Sequence, residues 1–162
     1  MLHPLKAKLC KTHRNAALRR GRRNCYKGHM LDALELKLRD AGLRPTRQRL
    51  SLARLLYSRG DRHVSAEQLH AEATAARVSV SLATVYNTLN QFKSAGLLRE
   101  IAIEGERSYF DTNTSNHFHF FDSAHEELVD FEAEGVQVTG MPALPKGKTI
   151  DRIDVIVRLK DK

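Results

Sequence analysis

The stretch from Ser81 to Phe121 constrains this chain more than any other, because an amphipathic helix, SLATVYNTLNQFKSAG, runs through a short hairpin into DTNTSNHFHFF. A 3.6-residue period giving way to a two-residue period sets a helix against strands and fixes where polar chemistry falls. In His117-Phe118-His119 the imidazoles are two residues apart. On a strand they leave the same face and can grip one ion. One segment thus holds a candidate groove-reading helix and a candidate sensor of metal or haem.

The preceding residues build a frame for that helix. MLDALELKLRDAG (residues 30–42) places Leu31, Leu34, Leu36 and Leu38 in a leucine-rich helix that exits at Gly42, and Pro45 resets the chain. Thr46 caps TRQRLSLARLLYSRG, in which Leu50, Ala53, Leu55 and Leu56 form the apolar stripe and Gly60 the stop. Ser65 caps AEQLHAEATAA, with Gln68 in the capping-box position, and this helix ends near Arg77. Ser81 caps the fourth helix, whose Leu82, Val85, Leu89 and Phe92 face inward before Gly96 closes it. In LLREIAIEGERSYFD, Glu104-Gly105-Glu106 separates two alternating runs, which predicts a two-stranded wing. Capped helices with short links followed by a wing predict a winged helix over residues 30–110.

Such a fold lays the fourth helix in the DNA major groove. Ser81, Thr84, Tyr86 and Asn87 then approach base edges near its N-terminal end. Asn pairs with adenine, while Tyr and Thr contact thymine methyls and phosphates. Arg47 and Arg49, opening the second helix, are expected to clamp the backbone. Charge agrees. Residues 37–99 hold 11 basic and 4 acidic side chains, residues 100–162 hold 7 and 13, and the net charge of +8 owes most to nine basic residues within 1–29. A basic half suits phosphate and an acidic half suits cations. Residues 1–29 carry no acidic residue and no apolar leader core, so they are expected to form a flexible basic arm.

After residue 110 the composition shifts, marking a second domain over 111–162 whose clearest strands are FHFF and RIDVIVRL, the latter with Ile153, Val155, Val157 and Leu159 on one face. MPALPKGK forms a loop between them. His63, Asp111 and Asp130 join His117 and His119 as candidate ligands, an N/O donor set suited to zinc, manganese or iron(II). An imidazole also serves as an axial haem ligand, which makes His117 and His119 the haem candidates. His125 is expected to play a surface role. The only cysteines are Cys10 and Cys25, so no Cys-rich structural zinc site is expected in the folded part and the reducing cytoplasm is the expected compartment. No apolar run reaches the roughly 20 residues of a membrane span. No HExxH or comparable catalytic signature is present, and no enzyme activity is expected.

The blocks AGLRPTRQRL, HVSAEQL, SLATVYNTLNQFKSAGL and the FD…HFH segment, between about Leu36 and Phe131, together resemble the ferric uptake regulator family. The resemblance implies an α+β protein: an N-terminal winged-helix DNA-binding domain followed by a small α/β dimerisation domain, with one regulatory metal at the junction. Carried across, that metal falls on His63, Asp111, His117, His119 and Asp130, the last depending on register. The partners implied are a second copy and a pseudo-palindromic double-stranded DNA element. Ser123 and Glu126 stand near the first of the family's two Cys-x-x-Cys pairs, Asn116 and Phe118 replace ligands of its second, His-rich site, and the tail from Met141 to Leu159 resembles the iron response regulator branch. That branch implies haem as effector, a haem-synthesis enzyme as donor, and control of iron and haem genes. Cys25-Tyr26 lacks the proline of the Cys-Pro haem motif found in some members, so His117 and His119 are the better haem candidates.

Overall fold

A computed structural model of the chain describes residues 25–103 and 107–161. Four helices come first: α1 (Cys25–Asp40), α2 (Arg47–Tyr57), α3 (Ala66–Ala75) and α4 (Leu82–Ser94). The expected basic arm lies outside the described residues up to position 24, and α1 begins at Cys25 rather than at residue 30. Each later helix starts where a hydroxyl satisfies an orphan N–H. Thr46 accepts from Arg49, Ser81 from Thr84, and Ser65 closes a full capping box with Gln68.

Three helices end with one pattern of hydrogen bonds. Gly42 N–H donates to the Arg39 carbonyl at 2.9 Å and Leu43 N–H to Leu38 at 2.8 Å; Gly96 and Leu97 repeat this with Lys93 and Phe92, both at 2.9 Å. Arg77 and Val78 repeat it again with Thr74 (3.0 Å) and Ala73 (2.8 Å). This cap needs a left-handed residue, usually glycine. Gly42 and Gly96 have φ of 74° and 71°, and Arg77 adopts 57° without glycine's freedom.

The helices enclose one core of Leu34, Leu38, Leu52, Leu56, Leu69, Val85, Leu89 and Phe92, with Phe110 reaching in from a strand. Three expected inward positions differ. Leu82, the first residue of α4, is 37% exposed. In α2 the stripe is Leu52, Ala53 and Leu56, with Leu50 and Leu55 on its flanks only partly buried.

Strands β2 (Arg99–Ala102) and β3 (Ser108–Asp111) form the expected hairpin, although its turn at 104–106 lies outside the described residues. The wing has a third strand that the short HVS segment did not reveal. β1 (His63–Ser65) pairs antiparallel with β3, in the order β1-β3-β2. The second sheet is β5 (Glu127–Glu132), β4 (His117–Asp122) and β6 (Ile156–Leu159), with β4 central, antiparallel to β5 and parallel to β6. RIDVIVRL is therefore a shorter strand than expected, and Ile153 lies before it. Apart from β1, which lies between α2 and α3, the helices precede the strands, as in an α+β fold. The resemblance implied an α/β unit at the C-terminal end; among the described residues that unit is sheet and loop alone. A small core of Ile101, Ile103, Tyr109, Phe121 and Leu128 joins the wing to this second sheet.

Candidate metal centre

Ladder register builds the centre. On the wing, His63 stands directly opposite Asp111; on the second sheet, His119 stands opposite Asp130. His117 shares the face of His119, as the two-residue spacing predicts. The small core between the sheets brings the two cross-strand pairs together. His63, Asp111, His117, His119 and Asp130 each offer a donor atom, all within 4.8 Å of one another.

The spacings are those of ligands around one small cation. His117 Nε2 lies 2.9 Å from Asp111 Oδ2 and 3.1 Å from His119 Nε2; His63 Nε2 lies 2.8 Å from Asp130 Oδ1 and 3.9 Å from Asp111 Oδ1. Donors on a coordination sphere of about 2.1 Å radius stand roughly 3 Å apart at right angles and nearly 4 Å apart at wider angles. Asp111 is fully buried, and His117 and His119 are nearly so. Two carboxylates supply the charge that balances a divalent ion, and three imidazoles make the set borderline, fitting zinc, manganese or iron(II).

An unsatisfied atom strengthens the fit. Buried His63 Nε2 has no hydrogen-bond partner, because its close contact with Asp130 misses the angle at which an N–H donates. Buried polar atoms without partners are rare and call for an explanation. A cation between His63 and Asp130 supplies one. Similarly, when His117 Nδ1–H donates to the Ser115 carbonyl at 3.1 Å, Nε2 presents a lone pair to Asp111 and His119. If His119 Nε2 is likewise unprotonated, three acceptors face one another, and a cation among them satisfies all three.

Burial holds the His63 imidazole below the usual histidine value, against the opposing pull of Asp111 and Asp130, so it is neutral and ligand-competent at pH 7. For Asp111, burial is the largest effect and acts upward. Contact with His119 and the bond from Asn113 N–H, 2.7 Å long, outweigh it with help from His63 and His117, and the carboxyl stays below the usual carboxylate range. His125 is remote from the cluster in its role: it is 70% exposed and bonded through Nδ1 to Asp122 at 2.8 Å.

The residues expected to face DNA differ in how far they are engaged within the protein. Arg49 is engaged inside the protein: Nε and Nη2 donate to Gln91 Oε1 at 3.1 and 2.8 Å, and Nη1 to the Arg44 carbonyl at 2.8 Å, tying α2 to α4. Ser81 and Thr84 are spent on the N-cap. Tyr86 donates to Glu67 Oε1, which holds that carboxyl below its usual range. Asn87 is exposed. Arg47 lines a notch of about 360 Å³ with Gln48, Ser51, Arg77, Val78 and Ser79. Arg77 and the buried Arg99 beside His117 escaped the sequence reading; the lack of glycine where α3 ends was the available signal for the first.

Residues 40–153 match the Ferric uptake regulator family. Over 104 residues, 64% of this chain and 70% of the relative, the sequence is 35% identical to the Peroxide-responsive repressor PerR of Staphylococcus aureus (strain Mu50). The fold resembles the crystal structure of the Vibrio cholerae ferric uptake regulator, with a TM-score of 0.62 and 27% identity over 78% of this chain and 98% of that one. It also resembles the ferric uptake regulator of Pseudomonas aeruginosa with manganese, with a TM-score of 0.60 and 25% identity over 79% and 97%. The chain belongs to the ferric uptake regulator family, a family of DNA-binding transcription regulators rather than enzymes.

Proposed function

We propose that this protein is a homodimeric, metal-dependent DNA-binding repressor whose regulatory ion is held by His63, Asp111, His117, His119 and Asp130. The observation that carries this reading is the convergence of those five donors from two sheets, with the His63 Nε2 atom left without a hydrogen-bond partner. His63 belongs to the helical unit's wing and the other sheet supplies His117, His119 and Asp130, so an ion there favours one arrangement of the two units. Regulation then requires only that this arrangement bind DNA with a different affinity from the others.

On the DNA side, Asn87 and Tyr86 are the proposed base-edge contacts, with Ser81 and Thr84 presenting the helix N-terminus to the backbone and Arg49 aligning α4 through Gln91. Arg47 and Arg77 line one notch beside that N-terminus and are the proposed phosphate contacts. On the other side, Val129, Val157 and Leu159 are 39–50% exposed and flank Phe120 on one sheet face, a surface suited to a second copy. Two copies read two half-sites.

The finer reading, an iron response regulator that senses haem through His117 and His119, is supported by the tail and by the missing cysteines. The bare-ion reading is favoured by the packing. Both imidazoles are buried against carboxylates, and the cavity reaching His119 is about 230 Å³, below the roughly 300 Å³ at which small-molecule pockets begin. The test selects genomic fragments with the full chain at one fixed ionic strength, with chelator, Mn²⁺, Fe²⁺, Zn²⁺ or haemin. A divalent ion is expected to tighten binding at least fivefold, and Asp111→Asn to abolish the gain. Equal binding under all conditions refutes the proposal. Loss of binding with haemin, with a Soret band that His117→Ala plus His119→Ala removes, establishes the haem reading.

A further inference from the structure

Arg99 is the one arginine buried among the described residues, 8% exposed, and its guanidinium meets three parts of the chain. From β2 it donates through Nη1 to the Ser115 carbonyl at 2.8 Å and lies 3.2 Å from His117 Nδ1; through Nη2 it donates to Asp154 Oδ1 at 2.9 Å. Asp154 also forms an ion pair with Arg152, whose Nε lies 2.7 Å from the same oxygen. The next residue, Val155, accepts the His119 N–H at 3.1 Å. One side chain of the wing therefore grips the loop that delivers His117 and the segment that runs beside His119. Burying a guanidinium is unfavourable unless it is paired and fully bonded, so this cost is met only while all three elements are together.

Packing is incomplete at this part of the joint, although the apolar core of Ile101, Ile103, Tyr109, Phe121 and Leu128 also links wing and second sheet. Glu100, Ile101, Ala102, His119, Asp154 and Ile156 line a cavity of about 230 Å³ between β2 and the second sheet, and Arg99 donates to Asp154 of that lining. We infer that Arg99 is a positioning residue of the metal centre: it orients His117 by sharing the Ser115 carbonyl and, through Asp154, makes assembly of the ion site depend on contact between wing and second sheet. The inference rests on the proposed ion site and adds a link between the ion and the geometry of the DNA-binding unit. Lysine keeps the charge but lacks the fork that reaches two acceptors at once, so Arg99→Lys is a selective lesion.

The experiment titrates Co²⁺ into the full chain and into Arg99→Lys and Asp154→Ala, following calorimetric affinity and the ligand-field spectrum. Removing an outer partner of a ligating imidazole weakens binding roughly 10–100-fold. Arg99→Lys is expected in that range with an altered ligand-field band, Asp154→Ala to shift in the same direction, and neither spectral change follows from a loss of general stability. Should Arg99→Lys fail to fold, Asp154→Ala decides alone, since the Asp154 side chain is 53% exposed. Both variants binding within twofold of the unsubstituted chain, with its spectrum, overturns the inference and leaves the ion site standing. An unsubstituted chain that binds no Co²⁺ overturns both.

Discussion

Arg77→Gly is expected to make the protein more stable and a poorer DNA binder. The backbone of Arg77 sits at φ 57°, in the same two-bond helix cap that Gly42 and Gly96 form at 74° and 71°. A side chain in the left-handed region costs about 1–2 kcal/mol. Glycine relieves that strain but adds unfolded-state freedom worth about 0.5–1 kcal/mol. Both capping bonds are made by backbone atoms and survive the change. The net gain is about 0.5–1 kcal/mol, or a rise in Tm of roughly 1–4 °C for a chain of this size. If the strain is retained for the Arg77 guanidinium beside Arg47, the variant loses one phosphate contact, and the slope of log K against log salt becomes shallower by about 0.9. Thermal denaturation in chelator, together with DNA titrations at several salt concentrations, measures both. A lower Tm refutes the strain argument. A raised Tm with an unchanged salt slope refutes the phosphate contact.

Two further outcomes are expected. Burial pushes the Tyr57 hydroxyl up to about 12, and the hydroxyl donates to the Leu97 carbonyl at 2.7 Å. Because the folded value lies above the unfolded value of about 10, its stabilisation is complete below pH 10 and lost as pH rises toward 12. Tyr57→Phe is expected to cost about 1 kcal/mol at pH 8 and progressively less above pH 10, as denaturant melts of the two proteins across that window will record; a constant difference contradicts it. On the exposed sheet face, Val157→Asp places a charge where a second copy is proposed to pack, at a position already 39% exposed. Sedimentation should then report a folded monomer, whereas an unchanged dimer removes this face from the interface.

The helical frame was legible because its determinants are local. Thr46, Ser65 and Ser81 cap by reaching three residues along, Gly42 and Gly96 end helices through their own backbone freedom, and the spacing of Val85, Leu89 and Phe92 repeats every turn. The common face of His117 and His119 was legible for the same reason, since strand geometry alone imposes it. His63, Asp111 and Asp130 were named by donor type and assigned to one site through a family resemblance, not through any periodicity. Their approach to the histidine pair follows from which strands are neighbours and in what register, and β1 is only three residues long, too short to show alternation. Burial of Arg99 against Asp154, the capture of Arg49 by Gln91 and the orphaned nitrogen of His63 likewise arise between distant segments. Nearest neighbours along the chain dictate caps, turns and faces, while the meeting of charged and ligating groups depends on how those faces pack, and packing is a property of the whole fold.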